Sequence, residues 1–315
     1  MNKNILSFPG LGIGPFEVNE VAFTIFGFSV HWYGLIIMSG MLFCVLYVYR
    51  HWKKEGWNPD YFFDVAIAAI GIGVIGARLY YILFSLDSYL VTGGSFWSNV
   101  GKTLKNMISV WNGGLAIYGG LIAGALAIFL VARWRKIQVL RLLDIVAPSV
   151  ALAQAVGRWG NFVNAEAHGG ETTLPWRMGI TYGNTTYYYH PTFLYESLWN
   201  IIGFILLNWL LKKKKYDGQV LLAYAAWYGF GRMLIEGLRT DSLMWGPFRV
   251  SQLLAALLFV VCAAWMIVIF VRQRKRKTEE LDRAFEEIDS GAVASTIGLD
   301  PETEIEGDKE DGHSN

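Results

Sequence analysis

The stretch IVAPSVALAQAVGRWGNFVNAEAHGG, residues 145–170, begins as an apolar run with the character of a membrane helix. It then passes directly into an arginine, two asparagines, a glutamate and a histidine. Ionisable groups at membrane depth are costly and demand a partner or a function. How deep these residues sit depends on the rest of the chain.

The whole chain favours lipid. Of its 315 residues 54% are hydrophobic, 15% are aromatic and only 17% are charged, too apolar for an ordinary soluble protein of this length. A helix crossing about 30 Å of hydrocarbon needs about 20 mostly apolar residues. Seven segments qualify, near 30–49, 61–86, 113–132, 142–157, 193–211, 219–238 and 250–271. The expected fold is an all-α integral membrane protein with about seven transmembrane helices and small extracytoplasmic elements.

Charge sets the orientation. Arg50, Lys53 and Lys54 follow the first span, and Arg133, Arg135, Lys136 and Arg141 follow the third. Lys212 to Lys215 follow the fifth, and Arg272, Arg274, Lys275, Arg276 and Lys277 follow the seventh. Basic residues collect on the cytoplasmic side. The opposite loops carry only scattered bases such as Lys3, Lys102, Lys105, Arg177 and Arg249, which puts the N-terminus outside and the C-terminus inside.

Three regions follow. Residues 1–29 read as an outer interfacial arm, in which EVAFTIFGFSVHW alternates apolar residues around Gly27 as a short hairpin would. No cleavable signal peptide is visible in it. Residues 30–271 form the membrane domain. Residues 272–315 are a cytoplasmic tail, basic at first; beyond residue 277 they hold thirteen of the 26 carboxylates and are too polar to offset the entropy of ordering. TEELDRAFEEI has a helical period, yet a solvated tail is the favoured reading.

With that orientation, polar residues gather on one side. Tyr33 opens the first span from outside, Tyr118 lies a little way into the third, and Arg158 ends the fourth. Arg232 and Glu236 occupy the last two turns of the sixth. Arg78 lies about eight residues, roughly 12 Å, from the outer end of the second. The pattern predicts a cationic cavity opening outward.

Simpler readings compete at each position. Arg158 at a helix end has the reach to snorkel, and Gly169 and Gly170 suit an ordinary turn. Arg232 and Glu236 are spaced to pair on one helical turn, although Tyr228, Arg232, Glu236 and Arg239 together make a stripe richer than one ion pair needs. His190 and Glu196, at the start of the fifth span, admit structural and functional roles equally. Salt bridges at the inner face account for Asp64 and Asp144. Cys44 and Cys262 sit inside apolar runs and read as packed bystanders.

Arginine forks match phosphate oxygens bidentately, and fixed positive charge stabilises a phosphate that departs with its negative charge. No run of histidines and carboxylates has metal-ligand spacing, so neither metal nor cofactor is expected. An anion transporter or channel is the competing class, but the inner halves of the spans offer little polarity beyond Asp64 and Asp144. A seven-helix receptor or retinal protein is a weaker alternative, since no lysine of this chain lies within a span to form a Schiff base.

The chain closely resembles the prolipoprotein diacylglyceryl transferase family. The family signature G-R-x-G-N-F-x-N-x-E-x-x-G is matched by Gly157, Arg158, Gly160, Asn161, Phe162, Asn164, Glu166 and Gly169. HWYGL with Tyr33, GARLYY with Arg78, WNGGLAIYGG, HPTFLYE and GRMLIEGLR add to the likeness, which covers about residues 20–271. It implies a multi-pass enzyme of the bacterial cell membrane with its site toward the outer face. Its partners would be phosphatidylglycerol and a prolipoprotein signal peptide bearing a lipobox cysteine, with no nucleic acid. The diacylglyceryl group would pass to the cysteine thiol, forming a thioether and releasing glycerol 1-phosphate.

Carried over, the roles are specific. Arg158 and Arg232 would hold the phosphate, Asn161 and Glu166 would shape the headgroup site, and Tyr33 would line it. Glu236 and Arg239 would complete the stripe, Gly169 would permit a turn, and Arg78 is a further candidate for the lipid phosphate. Many members have histidine before two glycines where this chain has Tyr118. A tyrosine with its ordinary pKa of about 10 is a poor base. Three readings stay open: Tyr118 is activated by arginines, the base lies elsewhere, or the thiol needs no strong base. His168 is a substitute that the family pattern does not require.

Overall fold

The computed structural model describes residues 3–91, 93–109 and 113–289. The chain opens with four strands, β1 (Lys3–Phe8), β2 (Ile13–Asn19), β3 (Val21–Ile25) and β4 (Phe28–His31). Helices α1 (Trp32–Lys54), α2 (Pro59–Phe84), α3 (Phe96–Ile108), α4 (Ile117–Trp134) and α5 (Val139–Val163) follow. After a hairpin of β5 (Met178–Tyr182) and β6 (Thr185–Tyr189) come α6 (Thr192–Lys213) and α7 (Gln219–Glu236). A two-residue ribbon of β7 (Met244–Trp245) and β8 (Phe248–Arg249) leads into α8 (Val250–Asp289).

The protein is mostly helical, and six helices, α1, α2, α4, α5, α6 and α8, are long and apolar enough to cross a membrane. Their outer surfaces are what such a role requires. Ile67, Ile75, Leu83, Leu121 and Leu130 are exposed on helix flanks, an arrangement that water would penalise and acyl chains would not. The exception is α5, whose apolar window is 44% buried, against 6% for α1 and 11% for α2. It is the central helix, packed on α1, α6 and α7.

Small residues bring α2 and α4 together. A side chain on Gly76 would run into Ala123 and the Gly119 carbonyl, so the two backbones touch directly, the close approach that stabilises helix pairs in lipid. At the end carrying the basic loops, Trp52, Phe62, Val65, Ala132, Ile137 and Leu142 form one buried cluster joining α1, α2, α4 and α5.

Asp144, fully buried at the same end of α5, accepts from the backbone N–H groups of Gly218, Val220 and Leu221 at 2.9, 2.9 and 3.0 Å. It thereby caps the start of α7 from a neighbouring helix. Lys214 Nζ lies 2.9 Å from it, and Asp64 pairs with Arg135 at 2.7 Å, as expected of salt bridges at this face.

Three expectations need amendment. The fold is not purely α: β1, β2, β5 and β6 form an antiparallel sheet in the order β2-β1-β5-β6. Its inner face, with Leu6, Met178 and Ile180, covers Phe162 and Ala165 at the end of α5 and Phe193 at the start of α6. Glycine and asparagine at 183–184 between two runs of β-branched and aromatic residues are the local signal for its hairpin. The arm hairpin expected around Gly27 is present as β3 and β4.

Second, the fourth span does not stop near residue 157. Helix α5 runs 25 residues to Val163, so Arg158 projects from within the helix and not from its end.

Third, residues 272–289 are helical. The chain divides at Cys262 into one compact unit and a second that begins at Ala263, whose described part is the remainder of α8. Elongating an existing helix avoids the cost of nucleation, and Glu, Leu, Arg and Ala are good helix formers. The rest of the expected tail, 290–315, lies outside the described residues.

Candidate functional site

Where α5 ends beneath the four-stranded sheet, three arginines from two helices and a loop converge on one carboxylate. Glu196, in the second turn of α6, is 5% exposed, and its Oε2 lies 2.5 Å from Arg158 Nη2 on α5. Arg232 Nη1 on α7 donates to both Glu196 oxygens at 3.2 Å, and Arg239 Nη1 stands 3.6 Å from Oε1. Arg232 Nη2 also reaches Glu236 at 2.6 Å, one turn along its own helix. Within this group three guanidiniums face two buried carboxylates. Arg239 also bonds Asp241 at 2.9 and 2.7 Å, and this third, exposed carboxylate brings the charges into balance. Hydrogen bonding from Arg239 in turn holds the Asp241 carboxyl below the usual carboxylate range.

The arginines differ in freedom. Arg232 is held by two carboxylates and Arg239 by the loop carboxylate Asp241. Arg158 is the most accessible, with 22% of its side chain exposed, and its Nη1 makes only a long 3.4 Å bond to Asn161. That guanidinium keeps donors for a further anion.

Asn161 is the next link. Its amide donates to Glu166 Oε1 at 2.9 Å, and Asn164 approaches the same oxygen at 3.4 Å. The chain then turns back through Ala165 and Ala167, both in the left-handed region at φ of 51° and 55°. The ring of Tyr33 lies against Gly160, within Coulombic reach of Arg158 and Glu166.

Gly169 has a different task from the turn expected of it. A Cβ there would meet His190 Cβ at 2.7 Å, the Leu238 carbonyl at 3.0 Å and Thr192 Cγ2 at 3.2 Å. The bare backbone lets residue 169 bridge to Arg239, with Gly169 N–H bonded to His190 and Gly170 N–H to Leu238. Signature loop, start of α6 and end of α7 are thus stitched at one point, and the left-handed turns fall to the two alanines. His168 stacks on Tyr189 at 4.0 Å and leans on the sheet.

Arg78 is not in this cluster. Its five N–H donors are all taken by backbone carbonyls: Nε by Met107 at 2.7 Å, Nη1 by Gly113 and Gly114 at 2.6 and 2.9 Å, Nη2 by Asn106 and Ser109 at 2.8 and 3.1 Å. With Tyr89 below its plane, it ties the end of α3 and the approach to α4 onto α2. In this arrangement no donor remains for a lipid phosphate, contrary to the expectation for Arg78.

Tyr118, in the first turn of α4, is 56% exposed, and its nearest tie to the cluster is Tyr228 on α7. The residue most underrated by sequence reasoning is Glu196, whose signal was its place in HPTFLYE at the start of a span that contains no other acid.

The family model described as prolipoprotein diacylglyceryl transferase matches residues 20–269. Among curated relatives, a protein of Listeria innocua is 44% identical over 265 residues, 82% of this chain and 92% of the relative. One of Streptococcus uberis is 41% identical, covering 82% of this chain and 96% of its own length. One of Clostridioides difficile is 43% identical, covering 76% and 90%. All three are named phosphatidylglycerol–prolipoprotein diacylglyceryl transferase. The match spans most of the chain and includes every helix and loop that supplies the ion-pair cluster, and on that ground the chain belongs to the prolipoprotein diacylglyceryl transferase family.

Proposed function

We propose that this protein transfers the diacylglyceryl group of phosphatidylglycerol to the lipobox cysteine of prolipoproteins, at a site facing the outer leaflet of a bacterial cell membrane. The observation that carries this reading is the arrangement of Arg158 and Arg232 around Glu196. Two guanidinium forks already hold one two-oxygen anion, and Arg158 keeps donors for a second. A lipid phosphate entering beside Glu196 would take up those donors. Phosphatidylglycerol is also the lipid in the relatives' names.

In the reaction the thiol sulfur attacks the glyceryl carbon that bears the phosphate ester. A C–S bond forms, the C–O bond breaks, and the bonding pair leaves on the phosphate oxygen of glycerol 1-phosphate. Charge therefore builds on the phosphate, where the two arginines act. Glu236 and Arg239 hold Arg232 and Glu196 in register, while Asn161 and Glu166 present polar groups to the headgroup and Tyr33 borders it. Tyr118 neighbours Tyr228, on the helix that carries Arg232; the thiol proton passes to a group near it or directly to the departing phosphate. The membrane domain spans seven times, α7 adding a crossing to the six long apolar helices, with the arm outside and the basic end of α8 inside.

The test is transfer by purified protein reconstituted in phosphatidylglycerol vesicles with a lipobox peptide. A peptide gaining the mass of diacylglycerol, matched by released glycerol 1-phosphate, is the expected result. Anion flux across the vesicle wall without peptide modification would overturn the proposal in favour of transport.

A further inference from the structure

Beneath the ion pairs lies a second polar layer that the cluster does not use. Helices α5 and α6 are antiparallel, as the contacts of Arg158 with Glu196, Ala155 with Ser197 and Ala151 with Leu207 require. One turn inward from Arg158 on α5 is Gln154, and one turn inward from Glu196 on α6 is Asn200. Residues four apart share a helix face, so both point toward the interior that the ion pairs occupy. Tyr224, one turn inward from Tyr228 on α7, lies beside Gln154.

Asn200 is 5% exposed, and its Oδ1 has no hydrogen-bond partner among the described residues. The amide cannot escape by flipping. Its Nδ2 donates to the Glu196 carbonyl at 2.8 Å, and exchanging the two ends would set oxygen against oxygen. The bond also tilts the amide up α6, toward Glu196. Gln154 Oε1 is buried without a partner too, but its side chain bonds Tyr224, and turning the amide brings that hydroxyl to the oxygen. Asn200 is thus the orphan acceptor, which carries a desolvation cost and calls for a donor. Its oxygen cannot take an anion, and a cation would be repelled by the arginines one turn above. A neutral hydroxyl fits.

Resting on the proposed use of phosphatidylglycerol, we infer that Asn200 forms a hydroxyl subsite for the headgroup glycerol and thereby selects this lipid by its free hydroxyls. The phosphate held by Arg158 and Arg232 would sit one layer above, next to the glycerol that it esterifies. The same acceptor suits an ordered water, and the experiment separates the two donors.

The full-length protein is reconstituted with lipobox peptide and either phosphatidylglycerol or phosphatidylpropanol, whose headgroup has the same phosphate ester and no hydroxyl. Wild type is expected to favour phosphatidylglycerol by roughly tenfold in kcat/KM, the value of about one neutral hydrogen bond left unmade. In Asn200→Leu that preference falls to near unity. Equal transfer from both lipids by wild type overturns the inference and leaves the acceptor to water. A preference that survives in Asn200→Leu, both rates falling in parallel, overturns it as well and makes the residue merely structural. Should Asn200→Leu fail to insert, Asn200→Thr replaces it, and an undiminished preference there has the same meaning. Transfer from neither lipid by wild type would instead defeat the proposed function.

Discussion

Arg158 illustrates what the structure adds to a motif. Its presence in the signature was plain from the sequence, but its neighbours come from α6 and α7, and only packing could reveal that its nearest partner is a glutamate 38 residues away in the chain. The proposed clamp depends on a planar fork that grips Glu196 with one nitrogen and would keep others for phosphate. A lysine ammonium offers a point charge and cannot span both. Arg158→Lys is therefore expected to lower kcat/KM for transfer by at least about a hundredfold, or roughly 3 kcal/mol, with membrane insertion unchanged. Near-wild-type turnover would remove the clamp role. Gly169 makes a second case. Read from sequence it is a turn glycine; in the fold it is a contact point where three segments meet. Alanine there must push His190 or the Leu238 carbonyl aside, at a cost of about 1–3 kcal/mol. Thermal unfolding in detergent should register that loss, together with reduced activity from a displaced Arg239. An unchanged midpoint would show that the neighbours yield freely.

At the scale of elements, apolar length was enough to find the helices, because lipid selects for it directly. Each of the seven expected spans corresponds to a helix, six of them, all but α7, long and apolar enough to cross a membrane, with shifts at the ends where polar residues extend it, as at Val163 in α5 and Asp289 in α8. What length could not reveal was the sheet: β1 and β5 are more than 170 residues apart in sequence, and long-range pairing leaves no local periodicity beyond alternation. Amphipathic α3 escaped for the opposite reason, being short and polar on one face. The start of α7 is a joint between elements that carries a prediction. Gly218 provides no side-chain cap, and the acceptor comes from Asp144 on α5. Asp144→Ala would strand three backbone N–H groups and leave the Lys214 ammonium with Asp217 alone. A loss of roughly 3 kcal/mol is expected, in line with breaking a buried pair. Hydrogen exchange should show the first turn of α7 opening while the sheet stays protected. Equal protection in both proteins would mean that the cap contributes nothing.

For the whole molecule, sidedness is the property on which the chemistry depends, and it rests on charge alone. Seven basic residues, Arg50, Lys53, Lys54, Arg133, Arg135, Lys136 and Arg141, flank the ends that the buried cluster around Trp52 joins, and the ion-pair site lies at the opposite end of α5. If positive charge stays inside, the arginine cluster and the sheet face outward, where a translocated signal peptide would present its cysteine. Phe26, at the tip of the β3–β4 hairpin, is 96% exposed, and Thr278 in α8 follows the last basic run. In a background with Cys44→Ala and Cys262→Ala, Phe26→Cys should react with a membrane-impermeant maleimide on intact spheroplasts. Thr278→Cys should react only after permeabilisation. The reverse pattern would turn the site to the cytoplasm, away from any translocated substrate, and the proposed transferase reaction would then have no route to its peptide. Labelling of both positions on intact cells would instead mean an even number of crossings, with α7 or another helix failing to span. The two cysteines thus test the handedness of the charge pattern and the parity of the helix count in one measurement.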